Sequence, residues 1–177
     1  PRILEDAELK LSGSFRVLLA QLKLELDQLT ERIEEIDTVI QQRAREEEAC
    51  QRLTTIPGIG PVTATALIAA IGNGAAFRKG RDLAAWVGMV PRECSTGGKQ
   101  KLLGISKRGN KYLRTLFVQG ARSVVQQRHK QAPGLSAWLA QLLARAHQNV
   151  VIVALANKMV RMAWAVLYKN ECYRAPV

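Results

Sequence analysis

Apolar side chains recur at Phe15, Leu19, Leu22, Leu26, Leu29, Ile33, Ile36 and Ile40, with spacings that alternate between four and three. This is a heptad seam, and it predicts a long helix with one apolar edge and a wet back. Glu, Gln, Lys and Arg fill most of the outer positions. Gly13 and Ser14 mark its start, with Ser12 or Ser14 as N-cap. The pattern predicts that the helix runs on through "RAREEEACQRL" to Thr54. So regular a seam is expected to pair with another helix. That helix is either one in a second copy of the chain or one of this chain's own C-terminal helices folding back.

The pattern then changes. "LTTIPGIGPVTATALIAAIG", residues 53–72, predicts two helices around the tight turn Pro57-Gly58-Ile59-Gly60-Pro61. Gly58 and Gly60 lack Cβ atoms and can take positive φ, so another backbone can come close. Pro61 suits the first turn of a helix over Val62–Ile71, and Ile59 is expected to plug between the two helices. "GNGAAFRKGRDLAAWVGMVP" predicts a glycine-rich loop and a short helix over about 81–88, with Asp82 near its start. Leu83, Val87 and Trp86 are expected in the core, the last in preference to a base-stacking platform. Residues 91–106 lack helical periodicity, and Gly97-Gly98 reads as a turn, either a hairpin tip or a mobile loop. A helix restarts near Asn110, with Leu113, Leu116, Phe117 and Gly120 on one face and Lys111, Arg114 and Arg122 on another. Two more helices are predicted, over about 134–146 and 148–169. Trp138, Leu142, Val150, Ala154, Met159 and Trp164 suit their core, and Lys158 and Arg161 suit contacts to a nucleic-acid backbone. The chain is therefore expected to be all-α with at most a small hairpin. Residues 1–52 read as a coiled-coil oligomerisation helix and residues 53–177 as a compact helical domain.

Charge adds a division that hydropathy does not show. Residues 1–50 carry a net charge of −5, and residues 51–177 carry +16 with only Asp82, Glu93 and Glu171 as acids. An excess confined to one segment implies a polyanionic partner, nucleic acid first, with an acidic protein as the alternative. The start of the helix at Pro61 aims free N–H groups and a positive dipole end outward, which favours phosphate. The turn before it resembles the helix-hairpin-helix module, which grips DNA backbones without reading sequence. Cys50, Cys94 and Cys172 are scattered and lack metal-ligand spacing, so a reduced cytoplasmic setting is expected. His129 and His147 are isolated and read as surface or hydrogen-bonded residues. No apolar run reaches the length of a membrane span, since Lys158 and Arg161 break the nearest candidate. Pro1 opens the chain in mid-pattern, and the sequence reads as a piece of something longer.

The densest chemistry lies in "PRECSTGGKQKLLGISKRGNKYLR", residues 91–114. Arg92, Lys99, Lys101, Lys107, Arg108, Lys111 and Arg114 surround a Ser-Thr-Gly-Gly turn. A lone loop serine is ordinarily a turn residue. Its hydroxyl is a weak nucleophile unless a base, a metal or strong cationic stabilisation helps it. Here the cations are present, and Glu93 is the one nearby carboxylate in sequence.

The combined string "LTTIPGIGPVTATALIAAIG…F…GRDLAAWVGMVPRE.STGGKQ…GISKRGNKYLRTLFVQGARS" resembles the C-terminal domain of a bacterial insertion-sequence family. These are the DEDD transposases related to the Piv invertase, the bridge-RNA-guided recombinases. The resemblance covers about 53–168, and the preceding coiled coil fits the family layout. It implies an N-terminal RuvC-like domain, absent here, whose four acids bind Mg²⁺; no cofactor is expected within this chain. It also implies a serine that attacks a DNA phosphate and becomes covalently linked to it. That serine maps onto Ser95, with Thr96 the weaker choice; Cys94 stands where His or Tyr is expected. The implied partners are DNA, a guide (bridge) RNA and further copies of the chain, as a dimer or a tetramer on DNA. The implied location is the bacterial cytoplasm, at the nucleoid during activity, and the chain alone is expected to be inactive. Gly58, Gly60 and the seven cations above are the expected nucleic-acid contacts. Two other classes compete: a non-catalytic helix-hairpin-helix DNA-binding module, and a helical scaffold whose basic face binds protein or RNA. The loop serine separates the first from the enzyme, and the segregated charge argues against the second.

Overall fold

A computed structural model describes residues 12–175. The described residues are mostly helical, with one two-stranded hairpin, and they divide after Gln42 into two units. The first unit holds most of α1, Gly13–Glu46. The Ser12 hydroxyl caps it, accepting from the Phe15 N–H at 3.3 Å. Lys23 and Asp27 pair one turn apart. The seam residues Phe15, Leu22, Leu26, Leu29, Ile33 and Ile36 are all exposed, and Leu26 retains 63% of its surface.

α1 does not run to Thr54. The chain leaves helical geometry at Glu47 (φ −94°, ψ 114°) and re-enters it as α2, Glu48–Thr54. The interruption places Glu48 in the first turn of a new helix, where its charge favours the positive dipole end. There it also pairs with Arg52 at 3.2 Å. Core packing begins before residue 53, since Ala44 and Cys50 are already core residues.

The second unit packs α2, α4 (Gly80–Val87), α5 (Lys111–Gln126) and α6 (Pro133–Leu143) around α7, Gln148–Lys169, with α3 (Pro61–Ile71) against α2 and α5. α7 buries Val151, Ile152, Leu155, Ala156, Met159, Val160, Ala163, Val166 and Leu167. These recur at helical spacing along one wide face. By length and composition α7 could cross a membrane, but it is the helix on which the core is built. Two side-chain hydrogen bonds fix it: Asn157 Nδ2 donates to Met89 O at 2.9 Å, and Trp164 Nε1 donates to Phe77 O at 3.2 Å. Val150, expected in the core, is 60% exposed. Helical spacing puts it on the same side as Arg161 and Tyr168, opposite the buried rows.

Between α4 and α5 the chain forms β1, Pro91–Glu93, and β2, Leu102–Ile105, antiparallel, with Pro91 opposite Ile105 and Glu93 opposite Leu102. The turn is tight: Thr96 bridges Lys99, and Gly97 and Gly98 take φ of 58° and 75°. Two successive positive φ angles match the right-handed twist of a hairpin, and glycine adopts them without a Cβ clash.

Candidate nucleic-acid interface

Ser95 lies in the exposed hairpin just before this turn, and its hydroxyl donates to Glu93 Oε1 at 2.5 Å. Thr96 begins the turn itself, and its carbonyl accepts from Lys99 N–H at 3.1 Å. Arg92, Lys99 and Lys101 stand exposed on the same hairpin, with Lys101 O holding the Cys94 N–H at 2.9 Å. Lys107, Arg108 and Lys111 continue the basic surface through the following loop into the start of α5. None of these cations has an acidic partner among the described residues. Their charge therefore faces water, which a phosphate backbone can replace.

The mount of the hairpin is rigid. Ser106 N–H donates to Val90 O at 2.8 Å, Lys107 N–H to Gly88 O at 3.0 Å, and Asn110 N–H to Trp86 O at 3.4 Å. Gly88 and Gly109 permit this lacing. A Cβ on Gly88 would stand 1.8 Å from Arg108 O, and one on Gly109 would stand 1.8 Å from Trp86 O. Arg114 belongs to the same mount, since its guanidinium donates to Val87 O at 2.9 Å and is partly buried. Its position at the C-terminal end of α4 also neutralises the negative end of that helix dipole. Sequence reading placed Arg114 among free phosphate contacts, and the structure gives it a packing role as well. Trp86 is 38% exposed, not core; its ring meets Phe77 edge-on at 5.8 Å.

The glycine turn differs from its expected form. Gly58 takes φ +85°, but Gly60 has φ −98° and ψ 179°, extended backbone open to any residue. Gly58 faces inward: a Cβ there would lie 2.7 Å from Gly120 O and 2.9 Å from the Met159 methyl. Its missing side chain lets the turn sit on α5. Gly60 is exposed, and a Cβ there would meet nothing within 4 Å. Ile59 is buried as expected, and Pro61 opens α3. So the exposed start of α3 at Gly60-Pro61 remains available to a phosphate, whereas Gly58 serves the core.

Among the described residues, no three His, Cys, Asp or Glu side chains converge as metal ligands. Cys94 is exposed beside Ser95. Cys50 is buried, and burial together with Glu47 raises its thiol pKa to about 11, which keeps it protonated and inert. His147 caps α7, accepting from Asn149 N–H at 3.2 Å, and His129 is exposed.

A second basic region was not assembled by sequence reading. Gly80 sits so close to α7 that a Cβ there would lie 3.0–3.1 Å from the Arg161 backbone, and Lys79 and Arg81 share a cleft with Lys158 and Arg161. Lys158 and Arg161 were read as nucleic-acid backbone contacts, but their meeting with Lys79 and Arg81 had no local signal beyond the two cations flanking Gly80.

A helical core thus presents a firmly laced, cation-rich hairpin to solvent. Residues 50–135 match the family described as Transposase IS116/IS110/IS902, and this segment is a domain of that family. The chain is 49% identical over 157 residues to a Pseudomonas aeruginosa protein named a probable family 20 transposase, which covers 89% of this chain and 46% of that relative. It is 47% identical over 156 residues to the Yersinia enterocolitica transposase for insertion sequence element IS1328, covering 88% and 47%. A pilin gene-inverting protein of Moraxella bovis is 31% identical over 123 residues, covering 67% and 37%. The chain thus spans about half the length, or less, of these relatives.

Proposed function

We propose that this chain is the serine-bearing part of a DNA transposase or recombinase that acts in the bacterial cytoplasm on nucleoid DNA. The observation that carries this reading is Ser95: an exposed hydroxyl, held by a carboxylate, on a stiffly mounted hairpin with unpaired cations. Ser95 Oγ attacks the phosphorus of a DNA phosphodiester. Its proton passes to Glu93, which already accepts the hydroxyl hydrogen. The bond from phosphorus to the leaving sugar oxygen breaks, and that oxygen takes up a proton, leaving a phosphoserine link. Lys99, Lys101, Lys107 and Arg108 disperse the charge on the transferring phosphate. Strand exchange reverses the step with a different sugar hydroxyl. The Mg²⁺-binding carboxylates belong, on this reading, to a separate RuvC-like domain. A guide RNA is a further partner of the whole protein. The chain alone is inactive.

DNA binding should rest mainly on phosphate contacts, so affinity falls steeply with salt and depends little on sequence. Replacing Lys99 and Lys101 with Gln is expected to reduce the slope of log K against log salt by about two. Gly60→Val tests the turn without disturbing the core, which Gly58→Val would do. An unchanged salt slope in the lysine variant removes the hairpin from the interface.

The exposed seam of α1 suits self-association. Each leucine or isoleucine moved from water into a coiled-coil interface contributes roughly 1.5–3 kcal/mol. Leu26→Asp with Ile33→Asp is therefore expected to convert an oligomer into a monomer by light scattering. A wild-type chain that is monomeric at tens of micromolar contradicts the coiled-coil assignment.

A further inference from the structure

The cleft where α4 begins against α6 and α7 has a volume of about 710 Å³ and lies outside the hairpin surface. Lys79 and Arg81 line it from the start of α4, Lys158 and Arg161 from α7, and Trp138 and Trp164 supply aromatic wall. No carboxylate lines it. Lys79, Arg81 and Arg161 have no acidic partner among the described residues. Gly80 marks the close approach of α4 to α7, since even a Cβ there would crowd the Arg161 backbone at 3.0–3.1 Å.

The two tryptophans differ in freedom. Trp164 is committed, with Nε1 bonded to Phe77 O and one face stacked on Tyr168 at 4.9 Å. Trp138 packs in part against the core, and its one polar contact is the Lys158 ammonium over its ring, 4.4 Å from the centroid. A lysine resting on an aromatic face is a weak and displaceable cover. A planar base can take its place while the ammonium swings to a phosphate. A duplex keeps its base faces stacked inside and offers phosphates alone, so it would leave Trp138 unused. A strand with an unpaired base uses both the ring and the cations. An acidic peptide would use only the cations.

We propose that this cleft binds an unpaired nucleotide of a single strand, with the base on Trp138 and neighbouring phosphates on Lys79, Arg81 and Arg161. This rests on reading the domain as one that handles nucleic acid, and it adds a site separate from the hairpin. RNA and DNA strands share the required chemistry.

The test uses oligouridylate and oligothymidylate of about 12 nucleotides, with a duplex of similar length, in fluorescence anisotropy and tryptophan quenching. Both single strands are expected to quench tryptophan emission, and the tighter of the two identifies the source. Trp138→Ala should weaken single-strand binding by about tenfold, Trp138→Phe by less, and duplex binding should change less than about twofold. Lys79→Gln with Arg81→Gln, on exposed positions that leave the core intact, should give the same selective loss if Trp138→Ala fails to fold. Lys99→Gln with Lys101→Gln should do the reverse. If that hairpin variant keeps its duplex affinity while the cleft variants still lose single strands, the hairpin reading fails and the cleft stands. The cleft proposal is overturned if its variants bind single strands as the parent does, if single-strand and duplex affinities fall together, or if polyglutamate competes as well as the oligonucleotides.

Discussion

Full-length protein carrying Ser95→Ala is expected to fold and bind DNA like the parent, yet to give neither a protein–DNA adduct nor recombinant product. The two halves of this result have separate physical causes. Ser95 is exposed, and its one side-chain hydrogen bond is to Glu93 in the same hairpin, so its loss costs little stability. The covalent route, in contrast, has no substitute once the oxygen is gone. A loss on the order of a thousandfold or more is expected in strand exchange. Trapping on a denaturing gel, with guide RNA, donor and target DNA present, reads the adduct directly. Thr96→Ala is the paired control. An adduct that survives Ser95→Ala but disappears in Thr96→Ala means that the neighbouring hydroxyl is the nucleophile. If both variants remain active, a serine mechanism does not operate. Glu93→Gln should retain DNA binding and slow adduct formation, because the amide cannot take the proton.

The largest effect on stability is expected at a residue with no side chain. Gly109→Ala should lower the thermal midpoint by roughly 10 °C. Its φ of +98° is strained for any L-residue, and the new methyl would sit 1.8 Å from the Trp86 carbonyl oxygen. Left-handed strain and overpacking together cost about 3 kcal/mol. Gly120→Ala supplies a second case with an instructive sign. Inside α5, alanine should favour the helix by about 1 kcal/mol. Here the methyl would stand 2.0 Å from Gly58 O, so destabilisation is expected instead. Gly104→Ala, where a Cβ meets nothing within 4 Å, should leave the midpoint nearly unchanged. Calorimetry on the three variants checks the series, and equal midpoints would remove the case for close glycine packing.

Local features of the fold were legible because their causes are local. The heptad seam, the helix restart near Asn110, Pro61 at a helix start and the Gly97-Gly98 turn each follow from neighbours within a few residues. The structure adds the cap at that restart, where the Asn110 side chain accepts from Leu113 N–H at 3.0 Å. What the sequence hid depends on contacts between distant segments. Gly58 read as an opening for DNA, when its partner is Gly120 on another helix. Val150 fitted an apolar pattern, but it lies on the side of α7 opposite the buried rows and stays exposed. Trp86 looked like core for the same compositional reason. Within the candidate site, the cations and Ser95 could be named from sequence, and their shared mount could not. The second basic cleft stayed hidden because it joins residues about 80 positions apart, brought together by tertiary packing rather than by spacing.

The hydrogen bond from Ser106 N–H to Val90 O closes the base of the hairpin like a buckle. Residues between those two points form an insert whose both ends leave the body at the same place. Changes at its exposed tip leave the backbone hydrogen bonds of the lacing beneath in place. A lineage can therefore vary the tip around Ser95 and Glu93 while inheriting the helical body intact. For protein engineering, that makes residues 91–105 a natural cassette, with cut points fixed by the fold.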